Sequence, residues 1–184
     1  MIIAHERSGS TNMMSALSKI YKIRQYAEPF NIAWNNKLIV NFSKECVVKT
    51  IINQRTNDFY IDYVKNFDVV ILLFRNNAKE TIESLASMWK LNNYNRWHDA
   101  WRIDSNLIIP EIVFDSILKQ QQQIKELSIR MELPITYYED LYSGDINKFT
   151  KTLETIKLTH HIEELFPHFN PKNRLRQFGK KTLI

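Results

Sequence analysis

Four short apolar runs punctuate a chain that is otherwise patterned at helical spacing. Ile2–Ala4, Cys46–Thr50, Val69–Phe74 and Pro134–Tyr138 read as buried strands. The run Val69-Val70-Ile71-Leu72-Leu73-Phe74 is continuous rather than alternating, the pattern of a central strand covered on both faces. Between these runs, apolar residues recur at intervals of three and four. Met13, Leu17 and Ile20 share a helix face that Arg24 continues, and Ile82, Leu85 and Trp89 share another. Val113, Ile117, Ile124, Leu127 and Met131 make a stripe through a long helix that includes Gln120–Gln123, and Ile146, Phe149, Leu153 and Ile156 make a further one. Strands alternating with helices predict a single α/β domain over residues 1–184, three layers deep, with a mainly parallel central sheet. Ligands in such folds bind where strand C-termini meet helix N-termini. The segment after each strand is therefore where chemistry is sought.

Composition narrows the classes. A length of 184 residues suits one domain, and no repeat, linker or compositional break divides it. The 44% hydrophobic and 24% charged content is that of a soluble globular protein. No apolar run is long enough to span a bilayer and no signal-peptide pattern opens the chain, so a cytoplasmic protein without a membrane partner is expected. Cys46, the only cysteine, excludes an internal disulfide and a cysteine-based zinc site, and its apolar surroundings suit an inert thiol. A net charge of +5 suits an anionic partner, but no run of consecutive basic residues singles out nucleic acid.

Only three glycines occur, Gly9, Gly144 and Gly179, and the first lies in the most informative segment. His5-Glu6-Arg7-Ser8-Gly9-Ser10-Thr11-Asn12 separates the first strand from a helix beginning near Met13. A polar loop with a glycine between strand and helix is an anion site, because backbone N–H groups converge there and the helix dipole adds positive charge. Gly9 lets the backbone approach phosphate, and Ser8, Ser10 and Thr11 add hydroxyls. The loop is no Walker A motif, since Ser10 rather than lysine follows Gly9. Arg75 rather than an acidic residue closes Val69–Phe74. Both features count against an ATP–magnesium machine.

Arg7-Ser8-Gly9-Ser10-Thr11 resembles the loop that holds the 5′-phosphosulfate in sulfotransferases using 3′-phosphoadenosine-5′-phosphosulfate (PAPS). Three further segments match that family in order. The strand ending in Arg75, followed by a helix carrying Ser84, looks like its 3′-phosphate site. Ser84 lies nine positions after Arg75 where many members have eight, which here would be Glu83. Tyr137-Tyr138-Glu139-Asp140-Leu141 is similar to a segment whose tyrosine lies near adenine, so Tyr138 stacks on a base or is an ordinary core tyrosine, with Glu139-Asp140 capping a turn. Val47-Val48-Lys49-Thr50 resembles a stretch that cytosolic members continue with a catalytic histidine, where this chain has Ile51. Lys49 either reaches the sulfuryl group or the acceptor, or is a snorkelling surface lysine at the strand's end. Glu28-Pro29-Phe30-Asn31 looks like a region of the bacterial and tyrosylprotein branches in which glutamate is the base. The resemblance spans roughly Ile2 to Leu141 and implies a P-loop-like sulfotransferase fold.

It further implies that Arg7, Ser8, Gly9, Ser10, Thr11, Asn12, Arg75, Ser84 and Tyr138 bind PAPS and its product, the 3′,5′-bisphosphate PAP. Arg7, Lys49 and Glu28 then serve the chemistry without a metal, with His5 the second choice as base. Adjacent His160 and His161 point apart and share no metal. Trp89, Tyr94, Trp97 and Trp101, with Arg96, His98, Asp99 and Arg102, are either a stacking surface for the acceptor or core packing. The acceptor, a hydroxyl or amine of a small molecule, carbohydrate or peptide, is not read from the sequence. Neither is the role of the basic stretch Asn173–Lys181. An ATP-dependent small-molecule kinase and a binding module without turnover are the competing readings.

Overall fold

Successive residues of the central strands bury on opposite faces of one sheet, which is why those strands are apolar throughout. The computed structural model describes residues 1–31, 42, 44–92 and 111–170. Strands β1 (Ile2–Ala4), β2 (Arg24–Ala27), β3 (Cys46–Ile51), β4 (Ile71–Phe74) and β5 (Ile135–Tyr137) pair in the order β2-β3-β1-β4-β5. Every pairing is parallel. The helices among the described residues are α1 (Ser10–Tyr21), α2 (Asn57–Tyr63), α3 (Ala78–Asn92), α4 (Glu111–Met131), α5 (Tyr138–Leu141), α6 (Ile146–Thr155) and α7 (Ile162–Phe169).

On one face Ile2, Ala4, Val47, Ile71 and Leu73 pack against Met13 and Leu17 of α1, Phe149 and Leu153 of α6, and Leu165 and Phe169 of α7. On the other, Ile3, Val48, Leu72 and Phe74 meet Phe30, Tyr60 of α2, and Ile124 and Leu127 of α4. The result is the expected three-layer α/β/α arrangement. Each large side chain buried this way is worth about 1.5–3 kcal/mol. Ile82 and Leu85 of α3 pack separately on Val113 and Ile117 of α4. Among the described residues no helix is long and apolar enough to cross a membrane.

The sequence pattern gives no sign of α2, α5 or α7 and begins the β4 strand at Val69 rather than Ile71, and two further elements differ from it in kind. Helix α1 stops at Tyr21, capped by left-handed Lys22 at φ 54°. Arg24, which the spacing assigns to its face, instead opens β2. That strand, Arg-Gln-Tyr-Ala, lies at the sheet edge with three of its four residues exposed. Its position is set by backbone pairing with β3 rather than by apolar burial. The register places Lys49 of β3 between Ile2 of β1 and Ala27 of β2, and sets Ile2 opposite Ile71 of β4.

Candidate functional site

All five strands deliver residues to the C-terminal edge of the sheet. His5–Gly9 follow β1, Glu28 follows β2, Lys49 and Gln54 come from β3 and the turn after it, Arg75 follows β4, and Tyr138 and Glu139 follow β5. Six described non-glycine residues have positive φ, and Lys22, Glu132, Lys157 and His161 sit at helix ends where such geometry is common. The other two, Arg7 at φ 60° and Glu28 at φ 51°, sit directly beyond strands at this edge. Left-handed non-glycine backbone costs on the order of 1–3 kcal/mol and gathers at functional sites.

The loop after β1 is built around Gly9, the N-cap of α1 at φ 83°. A Cβ there would stand 2.9 Å from the Tyr138 ring and 3.1 Å from that of Tyr142. The first bond into α1 runs from Met13 N–H to the Gly9 carbonyl at 3.1 Å. The N–H groups of Ser10, Thr11 and Asn12 therefore have no partner within the helix. Ser8 is fully buried and its hydroxyl makes no hydrogen bond among the described residues. An unpaired buried donor costs about 1–3 kcal/mol, so this hydroxyl is available to a ligand or a water in the loop. Asn12 serves the scaffold: its amide donates to the Tyr142 hydroxyl at 2.9 Å and to the His168 carbonyl at 3.0 Å.

The two arginines interlock. Arg7 Nε donates to Ser84 Oγ at 2.8 Å, and Arg75 Nη1 donates to the Arg7 carbonyl at 3.4 Å. Ser84, expected beside Arg75, is thus bonded to Arg7. Arg75 Nη2 pairs with Glu80, and its buried Nε–H has no acceptor among the described residues. The Arg75 guanidinium lies 4.6 Å over the Tyr138 ring. Tyr142 stacks on that ring at 4.2 Å and 22°. Two groups at such heights occupy opposite faces, so Tyr138 supports Arg75 and Gly9 rather than offering a free face to a base. The Glu139 carboxylate accepts from the N–H groups of Asn76, at 2.9 and 3.1 Å, and Asn77, at 3.0 Å. Asn77 Oδ1 in turn accepts from Glu80 N–H at 3.1 Å and caps α3.

Glu28 and Lys49 form an ion pair with side chains only 12% and 5% exposed. Lys49 is therefore no surface lysine. Glu28 Oε2 also accepts from Gln54 Nε2 at 2.9 Å and Asn31 Nδ2 at 3.5 Å. Gln54 is oriented by the Thr50 hydroxyl, which donates to its Oε1 at 2.9 Å, and buried Tyr60 lies 3.1 Å from Thr50. His5 is sealed between β1 and β4. The Arg75 N–H can only donate, so His5 Nε2 is the acceptor at 2.8 Å. Nδ1 must then carry the proton and donate to the Glu6 carbonyl, also at 2.8 Å. Burial lowers its pKa to about 4. Both ring nitrogens are occupied, which leaves no lone pair for a substrate proton.

Sequence reasoning passed over several residues of this edge. Gln120 and Gln121, read only as part of a helical run, are buried and hold the loops after β1 and β4. Gln120 Oε1 accepts from Glu6 N–H at 2.9 Å, and Gln121 Nε2 donates to the Arg75 carbonyl at 2.9 Å. Glu6 and Gln54 carry no motif, and only the loop position of Glu6 could have signalled it. Tyr94, Arg96, Trp97, His98, Asp99, Trp101, Arg102 and the stretch Asn173–Lys181 lie outside the described residues, as does the side chain of Trp89. A cavity of about 780 Å³, lined by Met1, Phe42, Cys46, Phe67 and Val69 among others, opens at the opposite edge of the sheet, away from every predicted site residue. Among the described residues no group of three or more histidine, cysteine or acidic side chains is placed to hold a metal. Compared with family models, curated proteins and solved structures, the chain matches none.

Proposed function

We propose that this edge transfers a sulfuryl group from PAPS to a hydroxyl or amine acceptor, on a P-loop-like sulfotransferase fold. The observation that carries the reading is a pair of orphaned donors, the buried Ser8 hydroxyl and Arg75 Nε–H, on interlocked segments that match the family's two phosphate sites. PAPS supplies the sulfuryl group. The loop amides of Gly9, Ser10 and Thr11, with their hydroxyl neighbours, hold the 5′-phosphosulfate, and Arg7, steadied by Ser84, stabilises charge on the leaving phosphate. Lys49 neutralises the transferring group, and Glu28 accepts the proton released as the acceptor's bond to sulfur forms. The sulfur–oxygen bond to the 5′-phosphate breaks in the same step, and PAP leaves. Glu28 takes the base role ahead of His5 because the histidine's nitrogens are both bonded.

Arg75 binds the 3′-phosphate by exchanging Glu80 for it. Glu80 is half exposed, and such a pair is worth only about 0–1 kcal/mol, whereas a charge-assisted phosphate contact is worth about 1.5–3 kcal/mol. PAP should therefore bind roughly tenfold to a hundredfold more tightly than ADP, and Arg75→Ala should erase most of that preference. Calorimetric titration of both nucleotides against wild type and variant tests this. Equal affinity in wild type overturns the reading.

A further inference from the structure

Glu6 stands in the donor loop with no part in the proposed transfer. Gln120, only 1% exposed, grips it twice: Oε1 accepts from the Glu6 N–H, and Nε2 donates to Glu6 Oε2 at 3.1 Å. A backbone N–H can only donate, so the orientation of the Gln120 amide is fixed, and its second hydrogen goes to Ser116 Oγ at 3.1 Å. The other carboxyl oxygen, Glu6 Oε1, makes no hydrogen bond among the described residues, and Glu6 makes no ion pair there. The charges that face it are Arg7 from its own loop, Glu28 from beyond β2 and Lys49 from β3. Helix α4 presents only neutral Gln120 and Ser116. Burial pushes the Glu6 pKa up and the Glu28 charge adds to this, while the Gln120 hydrogen bond, Lys49 and Arg7 oppose it. An ionised Glu6 would also repel any phosphate or sulfate seated in the same loop.

We propose that Glu6 is a further donor-binding residue that acts as a neutral acid, its free carboxyl edge donating a hydrogen bond to an oxygen of the bound phosphosulfate. Seating the anion then draws one proton from solvent onto Glu6. The inference rests on the loop after β1 being the donor's anion site.

Isothermal titration at neutral pH, run in buffers of different ionisation enthalpy, counts protons taken up per ligand bound. PAP and inorganic pyrophosphate serve as probes, and the ligands' own protons cancel when wild type is compared with Glu6→Gln. Wild type should take up a proton with either probe, and Glu6→Gln should not. The wild-type Kd should weaken as pH rises, by up to about tenfold per pH unit, and the variant's should not. A purely structural Glu6 would leave the proton count unmoved. Infrared difference spectra of wild type should also show a protonated carboxyl gained on adding PAP, a readout that needs no variant. If PAP is preferred over ADP but proton uptake is absent or persists in Glu6→Gln, the Glu6 inference falls and the PAPS reading stands. If PAP and ADP bind equally while Glu6 still takes up the proton, the reverse holds. If neither probe binds, both fall. Loss of turnover in Glu6→Gln with proton uptake unchanged would make Glu6 a base instead and would equally overturn the proposal.

Discussion

Glu28 combines three features that a solvated loop glutamate lacks. Its backbone is left-handed, its side chain is mostly buried, and it pairs with a buried lysine. Removing either partner of such a pair typically costs about 3–5 kcal/mol, because the other charge is left stranded. Glutamine avoids most of that loss, since its amide oxygen can still accept from Lys49. The substitution also removes the one property a base needs, a carboxylate lone pair that can take up the acceptor's proton. Glu28→Gln should therefore keep the fold and PAP affinity while lowering turnover by about a hundredfold or more. Single-turnover rates with saturating donor, measured beside PAP binding, check this, and normal turnover in the variant removes Glu28 from the mechanism.

At the scale of elements, the turn from β1 into α1 is held from outside. Gly9 lies against the Tyr138 and Tyr142 rings, and Tyr138 is itself pinned between Tyr142 and Arg75. Alanine at this position would need φ near +83° and would meet rings that have nowhere to move. Left-handed geometry alone costs roughly 1–2 kcal/mol, so Gly9→Ala should lose at least that much stability, and anion binding should weaken with it. Chemical denaturation and pyrophosphate titration of the variant measure the two effects, and an unchanged loop would show in both. This turn was legible in the sequence because a lone glycine between an apolar run and an amphipathic helix has few other uses. So were β1, β3 and β4, whose apolar runs report burial directly, and β5, whose run Pro134–Tyr138 marks the strand although Tyr137 is exposed. Strand β2 was not, because edge pairing through the backbone leaves no apolar signal in Arg-Gln-Tyr-Ala. Nor were the partners of Ser84, Asn12 and Gln120, whose contacts reach 77, 130 and 114 positions along the chain. Spacing within one element cannot report bonds of that reach.

For the molecule as a whole, His5 ties the site to stability. Its ring joins the ends of β1 and β4, at the centre of the sheet, and it does so only as the neutral tautomer. Burial lowers the pKa from 6.5 to about 4, and the Arg75 charge and the Arg75 N–H donated to Nε2 work in the same direction, while the Glu6 carbonyl on Nδ1 and the Glu139 charge oppose them. Above about pH 6.5 both folded and unfolded chains hold His5 neutral, and its contribution to stability is fully present. Between about 6.5 and 4 the unfolded chain binds the proton and the folded chain does not, so stability falls with pH, by about 3 kcal/mol over the interval. Below that both forms are protonated and this slope ends. Glu6 acts in the opposite sense, because a carboxyl with a raised pKa relieves the folded state as it protonates. Comparing wild type with His5→Gln separates the two, since glutamine can still accept from the Arg75 N–H but does not titrate. Urea denaturation at pH 7, 5.5 and 4.5 should show wild type losing stability steadily and His5→Gln losing about 2–2.5 kcal/mol less over the same range. Equal losses in the two proteins would mean that the acid sensitivity of this fold arises elsewhere than at the β1–β4 junction.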